Sequence, residues 1–542
     1  MSNLSYLSTT LDILFLAKTA LALLIALLIP SILGRVIGQV TLYLNTRHLA
    51  GPPYIGFVSG NFQQVLDDEK AIAVNVWMEK YGKVFRGWGL LGVANVYMAD
   101  LKGLSHILKH DSVLYQKPDY LRYLLSRVTG QGLVAVDGDV HRGQRKVMNP
   151  AFGSAEIRAL TDTFLDKSVE RFQLRDALSV LIQNGADEID ILHWLSRMTL
   201  DVIGLAGFNY QLNTIPGKYN VLNDAFSRIF ATDNFLTFPV VLRLMFPRLR
   251  ALPEPDSAFR RARATSSRIA KELYERSKAA AEKTGASQDR DLFSCLVKSN
   301  MNTEASEAQR MKEDEVLAQV PTFLSAGHET TSTSTTLALF LLCTRLETQS
   351  RLRAELLSVP TEAPSMDQLN ALPYLDAVVR ETLRVLAPIP STVRVAMTDD
   401  VIPLSQPFVD RYGREHDVLA VKKGQTFVLP LLAINKDKKV WGEDAEEFRP
   451  ERWSNLPEAV KSVPGVWSNM MTFLGGPRGC IGWRFAVIET KALLFTLIRA
   501  FEFELTVPKE DVLIKRGFAV HRPEIRGKKG NQLPLRIRPV KV

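Results

Sequence analysis

Cysteine is scarce in this sequence. Only Cys295, Cys343 and Cys480 occur among 542 residues, too few for a disulfide framework, so most of the chain is expected to fold in a reducing compartment. Neither a second cysteine nor a histidine accompanies Cys480 at ligand spacing, which excludes a four-ligand zinc site or an iron–sulfur cluster there. No G-x-G-x-x-G comes after a strand-like run and there is no P-loop, so a nicotinamide or flavin bound by this chain itself is not expected. His328-Glu329 opens like the H-E-x-x-H of zinc proteases, but Ser332 stands where the second histidine belongs. His106 and His110 are four apart without a nearby third ligand and read as a solvated helix face. A one-sided basic stripe with interleaved aromatics is missing too. The 67 Lys and Arg outnumber the 58 Asp and Glu, giving a net charge of +9, but they are scattered. That argues against nucleic acid and for an acidic protein partner or an anionic membrane surface. Internal repeats and long low-complexity segments are absent from about residue 61 onward.

The composition that is present has an ordinary globular balance, 46% hydrophobic and 23% charged, in a chain long enough for a large core. Residues 13–33, ILFLAKTALALLIALLIPSIL, carry one charge, Lys18. A helix of that length spans about 30 Å, a bilayer core. Only Asp12 precedes it as a charge, and no A-x-A cleavage site comes after it, so a retained transmembrane anchor is expected rather than a signal peptide. Arg35, Arg47 and His48 flank its far end, which puts the rest of the chain in the cytosol and residues 1–12 on the luminal side. Asn3-Leu4-Ser5, a formal glycosylation sequon, lies on that side close to the membrane. Residues 34–60, with Gly51-Pro52-Pro53, Gly56 and Gly60, read as a stiff linker to a globular domain at 61–542.

That domain reads as mainly α (α+β). Amphipathic periodicity predicts helices near 68–80, 155–180, 190–206, 256–283 and 367–386, the last opening at Asp367 and stopped by Pro388. Strand-like runs are few: 84–90, 94–99, 426–431 and 501–507. Polar stretches at 284–290 and 299–312 look like exposed connections. The longest helical candidate runs from Glu313 to Arg345, about 50 Å. Its middle, AGHETTSTSTT, is richer in Gly, Ser and Thr than helix packing asks for.

Cys295 and Cys343 sit among Leu, Phe and Val and read as small buried hydrophobes. Cys480 differs. It lies in Phe473-Leu474-Gly475-Gly476-Pro477-Arg478-Gly479-Cys480-Ile481-Gly482, a tight loop poor in Cβ atoms just before a helix start. Such a loop leaves backbone N–H groups free to face a sulfur and lets a large flat group come close. A helix N-terminus and a nearby guanidinium favour a thiolate, which can serve as the one protein ligand of haem iron.

FLGGPRGCIG is similar to F-x-x-G-x-R-x-C-x-G, the cysteine signature of the cytochromes P450. Three more motifs resemble that family in the expected order: Ala326-Gly327-His328-Glu329-Thr330-Thr331, the Glu381-Thr382-Leu383-Arg384 of E-x-x-R, and Phe448-Arg449-Pro450-Glu451-Arg452-Trp453. The resemblance covers roughly residues 50–540. Two departures keep an aromatic ring: Trp453 stands for the usual Phe, and His141 stands for the Trp of W-x-x-x-R in His141-Arg142-Gly143-Gln144-Arg145.

The resemblance implies the P450 fold, with a long central helix over a haem and small β-sheets. It implies haem b, iron protoporphyrin IX, on Cys480 as axial metal ligand, with Phe473 packed beneath the ring and Gly476 and Gly482 shaping the loop. Arg478, His141, Arg145 and Arg394 would meet the haem propionates. Ala326 and Gly327 would let the central helix pass close over the iron and open a groove for O2. Thr330, on that face, would donate to bound dioxygen, and Glu329 would relay protons from water. Glu381, Arg384 and Arg452 would form a structural charge network. Substrate would meet the 115–135 loop, Phe323, Ala326, the Ile389–Val393 turn and the segment near Phe518, and the apolar run Phe235–Phe246 looks like a lid dipping into the bilayer.

The activity this implies is a monooxygenase of the endoplasmic reticulum membrane, fungal in look, acting on a lipophilic terpenoid, polyketide or aromatic molecule in secondary metabolism or xenobiotic oxidation. Electrons would come as NADPH equivalents from NADPH-cytochrome P450 reductase, with cytochrome b5 a further partner, and Arg142, Lys146, Arg484 and Lys491 would offer a basic docking face. Two alternatives stand beside it. One is a P450-fold isomerase or dehydratase working on hydroperoxides without a reductase; the other is a non-catalytic haem-binding carrier or sensor.

Overall fold

The computed structural model describes residues 33–34, 36–56, 60–61, 64–65, 72–89, 92–165, 174–215, 237–284, 291–301, 310–516 and 520–540. The expected anchor at 13–33 lies almost wholly outside them. Among the described residues no helix is long and apolar enough to cross a membrane.

Helices dominate. Ile191–Phe208 and Trp483–Ala500 both pack on Gln319–Thr344, and all three are largely buried. Such all-round burial is why their sequences carry little amphipathic contrast. Gln319–Thr344 is the central helix. The expected single run from Glu313 is interrupted: a short helix, Glu313–Leu317, ends at Ala318, and Pro321 falls in the first turn of the central helix. There a missing N–H costs nothing. The expected helix at 367–386 is likewise two pieces. Ser365 caps Met366–Asn370, its hydroxyl accepting from the Gln368 N–H, and Pro373 opens Pro373–Val385. A proline at the first helical position is a start signal that the periodicity conceals.

Among the described residues there are four small sheets. In the largest, Val84–Trp88, Ala94–Met98, Thr426–Leu429, Thr392–Ala396 and Tyr115–Gln116 are neighbours in that order, with one parallel pair, Ala94–Met98 beside Thr426–Leu429. Ile189–Asp190, Pro534–Pro539 and Phe501–Leu505 form a second sheet. Two hairpins complete the set, Asp400–Val409 with Glu415–Val421 and Val512–Arg516 with His521–Ile525. The strand order joins segments more than three hundred residues apart, which local alternation does not announce.

The Ser/Thr-rich middle of the central helix has a packing answer after all. Ser334, Thr335 and Thr336 donate to the carbonyls four residues back at 2.8, 3.0 and 2.8 Å. Hydroxyls paired in this way can be buried on all sides. Cys295 and Cys343 pack against the core, and burial pushes both thiols up.

Candidate active site

The central helix has one window. Of its 26 residues, only Ala326, Gly327, Thr330 and the last two, Cys343 and Thr344, escape burial. Ala326 and Thr330 stand four apart and share a face. The Thr330 hydroxyl donates to the Ala326 carbonyl at 2.8 Å. Its proton is therefore engaged in this structure, and toward the window the oxygen offers lone pairs. Gly327 faces elsewhere. A Cβ there would stand 3.0 Å from Ile203, so its bareness serves contact with the helix Ile191–Phe208 rather than the groove. Phe323 is 6% exposed and packs edge-on against Phe152 at 5.5 Å, with Phe208 at 6.0 Å. It belongs to the core, not to the window.

Glu329 departs furthest from expectation. It is 1% exposed, with Oε1 at 2.9 Å from His328 Nε2 and Oε2 paired with the Arg522 guanidinium. A carboxylate so enclosed is not open to bulk solvent in this structure.

The cysteine loop is built by close approach. Gly476 has φ +70°, and a Cβ there would stand 2.3 Å from the Leu108 carbonyl oxygen, so only glycine fits. Leu474 holds φ 58° without that licence, a strained position of the kind that collects at functional sites. The Cys480 N–H donates to the Phe473 carbonyl at 2.8 Å, and the Phe473 ring lies 5.6 Å from that of Trp467. Gly482 precedes the helix Trp483–Ala500, with Phe152 3.7 Å from where its Cβ would be. Phe152 thus touches both the loop's exit and Phe323 of the central helix. Cys480, unlike the other two cysteines, is exposed, yet protein surrounds it closely. That enclosure pushes its pKa up, against the opposing pull of the Gly482 N–H and Arg145. The expected bias toward thiolate is therefore outweighed by desolvation in the chain alone; a bound metal cation would reverse it.

Beside the loop lies a charge cluster that the sequence shows only in part. Arg478 pairs with Asp137 and donates to the carbonyls of Asp111 at 3.3 Å and Val136 at 3.1 Å. Arg394 donates to Asp111 at 3.3 Å, Thr392 Oγ1 at 3.0 Å and the Val393 carbonyl at 3.0 Å. Arg145 donates to the Gly479 carbonyl at 2.6 Å. Lys117, which no motif marks, is the fourth cation, its pKa pushed well down by burial and by Arg478. All four act on His141, on the same helix as Arg145. Burial and these cations hold its pKa down at about 3, so it is neutral. Its Nδ1 is buried without a partner among the described residues. The guanidinium groups of Arg478, Arg394 and Arg145, with Arg122 3.8 Å from Asp137, thus outnumber the two carboxylates, Asp111 and Asp137. A surplus of guanidinium groups with an orphan imidazole nitrogen suits a ligand bearing carboxylates, as haem b does. The residues present fit that group.

Glu381 anchors the other side. Its carboxylate accepts from Arg384 Nε and Nη2 at 2.9 and 2.8 Å, Arg452 Nε at 3.2 Å, the Arg449 N–H at 3.0 Å and the Trp453 indole at 3.1 Å. Trp453, the departure from the family's Phe, thus supplies a donor that phenylalanine lacks. Arg384 goes on to the carbonyls of Asn435 and Ala445 at 2.8 and 2.5 Å. The Asn435 side chain holds Thr472 at 2.9 Å and the Met471 N–H at 2.7 Å. The network therefore reaches the turn that carries Phe473.

The substrate and docking residues fare unevenly. Ile389 is 37% exposed and Val393 half-buried in its strand. Within 115–135 the chain forms the helix Asp119–Thr129. Phe518 lies outside the described residues. Lys491 is not a surface charge: it is 2% exposed, 2.8 Å from Asp376 and 2.9 Å from Asn370. A docking face can therefore count on Arg142, Lys146 and Arg484 only. His106 meets Asp400 at 2.8 Å and His110 the His106 carbonyl at 2.9 Å, so neither awaits a metal.

A sequence model of the cytochrome P450 family matches residues 50–528. The chain is 48% identical to cytochrome P450 monooxygenase 205 of Postia placenta, the match covering 91% of this chain and 93% of that one. It is 34% identical to cytochrome P450 monooxygenase claO of Ampulloclitocybe clavipes, covering 96% and 98%.

Proposed function

The chain belongs to the cytochrome P450 family, and from that premise we propose that it is a haem-thiolate monooxygenase acting on a lipophilic small molecule. The balanced reaction is RH + O2 + NADPH + H⁺ giving ROH + H2O + NADP⁺, with electrons supplied by NADPH-cytochrome P450 reductase or, for one of them, cytochrome b5. When bound, haem b supplies O2 activation, which the protein's own groups cannot perform.

Cys480 would hold the haem iron through its sulfur; its own N–H donates to the Phe473 carbonyl, and the Gly482 N–H faces the sulfur. Arg478, Arg394, Arg145, Lys117 and neutral His141 would receive the two propionates. The Thr330 oxygen, its own proton given to Ala326, accepts and orients a hydrogen bond in the window. Glu329 is the acid beside it, and Glu381, Arg384 and Arg452 stabilise without chemistry. Ile389 and Val393 are the substrate contacts retained, for a terpenoid, polyketide or aromatic molecule of secondary or xenobiotic metabolism. Residues 13–33 form a single-pass anchor of the endoplasmic reticulum, with residues 34–60 as linker and the catalytic domain at 61–542 cytosolic. Phe238, 75% exposed at the start of the helix Phe238–Met245, supports a second bilayer contact.

The observation that carries the reading is the exposed Cys480 thiol beside a cluster in which guanidinium groups outnumber carboxylates. The test is the spectrum of the reduced, carbon-monoxide-treated holoprotein. The red-shifted Soret band of sulfur coordination is expected in the wild type and is lost in Cys480→Ser; an unchanged spectrum in that variant overturns the reading. The reductase-free isomerase alternative gains one point from the enclosure of Glu329, because such chemistry needs no proton from water. NADPH consumption with reductase decides against it.

A further inference from the structure

Arg86, in the strand Val84–Trp88, is 9% exposed, and its Nε and Nη1 are buried without a hydrogen-bond partner among the described residues. Buried orphan donors are rare, and on a cation they are costly. Burial lowers its pKa and the Arg411 guanidinium lowers it further, against the Tyr43 and Tyr412 phenols; no carboxylate is among these groups. Asp410, beside Arg411, is engaged elsewhere: it accepts from the N–H groups of Tyr412 and Arg414 at 2.8 and 3.0 Å and lies 3.0 Å from His416 Nε2.

Aromatic rings close over the guanidinium, Trp88 at 4.6 Å and Tyr43 at 5.3 Å. Tyr43 stacks on Trp88 at 5.8 Å, and Tyr54 meets Trp88 edge-on at 5.0 Å. Rings attract the face of a guanidinium, but its hydrogen-bonding edge still needs an acceptor. An oxyanion with several acceptor oxygens supplies what the edge lacks.

The place of this cage points to the anion. Its walls come from the segment that follows the apolar run 13–33. Tyr43 lies on the helix at 36–46, where Val36, Ile37, Val40 and Leu44 are exposed. The Arg86 N–H donates to the Ala50 carbonyl at 2.8 Å, and the Arg411 N–H to the His48 carbonyl at 2.9 Å. Strand, linker and hairpin tip are thus laced together around one uncompensated cation. Exposed apolar residues beside Tyr and Trp are the pattern of a membrane interface, where the available anions are lipid phosphates.

We propose that Arg86, with Arg411 at its rim, is a binding site for the phosphate group of an anionic phospholipid, received under Tyr43 and Trp88 where the chain leaves the bilayer. The site stands on this geometry; its lipid source rests on the reading of residues 13–33 as an anchor.

The test is thermal melting of the full-length holoprotein in three settings. These are nanodiscs of phosphatidylcholine, the same with one-fifth phosphatidic acid, and phosphatidylcholine nanodiscs with added inorganic phosphate. Phosphatidic acid is expected to raise the wild-type melting temperature by about 3 °C, the shift given to a chain of this length by a ligand near a hundredfold its dissociation constant. Inorganic phosphate should raise it by less. Arg86→Met, which fills the cage with an apolar chain, should melt no lower than wild type in phosphatidylcholine and lose the response. Arg411→Gln should weaken the response, and Arg414→Gln, which removes an exposed cation from the same hairpin, should keep it. Equal loss in Arg414→Gln would mean diffuse attraction and overturn the site. So would an Arg86→Met variant that melts lower in phosphatidylcholine yet still responds, since Arg86 is then a structural staple. A response to inorganic phosphate as large as that to phosphatidic acid overturns the lipid source and leaves a free-phosphate site. Failure of the anchor reading looks different: wild type then does not co-purify with nanodiscs, and the inorganic phosphate arm with Arg86→Met still decides the site.

Discussion

Glu381 and Glu329 are both buried glutamates paired with arginine, and they are built to opposite ends. Glu381 accepts five donors from four residues, two of them guanidinium groups, and every donor is fixed by its own element. Glu329 meets two nitrogens, one of them on an imidazole whose pKa burial holds at about 3. A third, Glu489, has no cation at all among the described residues; it meets Thr331, and burial raises its pKa well above the usual carboxylate range. The series teaches that burial alone does not define a role. A carboxylate saturated by rigid donors cannot move a proton or itself, whereas one held by two partners can do both.

The largest effect should come from the saturated site. Glu381→Ala leaves Arg384 without a carboxylate and Arg452 with Asp444 alone, and should cost about 3–5 kcal/mol of folding stability, read by denaturant titration of the holoprotein. Glu329→Gln keeps shape and one acceptor and should cost less, about 1–3 kcal/mol, while lowering product formed per NADPH. Equal losses at the two sites would break the contrast. Trp453→Phe removes one indole donor from Glu381 and should cost about 1 kcal/mol, with Trp453→His partly restoring it if the donor and not the ring area is what counts.

The smallest effect is a slope. Glu489 keeps its proton in the folded chain, whereas the unfolded chain releases it near 4.5. The folded state thus binds more protons above that pH, and its stability falls as pH rises. Glu489→Gln should flatten that decline above pH 4.5, measured from denaturant midpoints. An unchanged slope would place the charge of Glu489 on a partner after all.

Much of the site is legible in residue order. The cysteine loop announces itself because Gly476 and its neighbours are needed where backbone meets backbone, and such sites tolerate few residue types. Glu381 and Arg384 can be paired in advance because three residues of helix put them on one face. Lys117, Asp111 and Asp137 cannot be assembled, since they come from separate segments and no local pattern ties them to Arg478. Gly327 misleads because a bare Cα serves a groove and a helix contact equally well. Arg522 gives no signal, lying nearly two hundred residues from the glutamate it holds.

The order of the chain by itself determined which helix crosses the core, which sulfur is exposed in a tight loop, and which family the motifs resemble, because those depend on residue type at short spacing. Tertiary structure alone decided where charge goes. Whether Glu329 faces water or an arginine, whether Lys491 is surface or core, and whether the Cys480 thiol is eased or hindered in losing its proton depend on desolvation and on partners that the fold brings in from far along the chain.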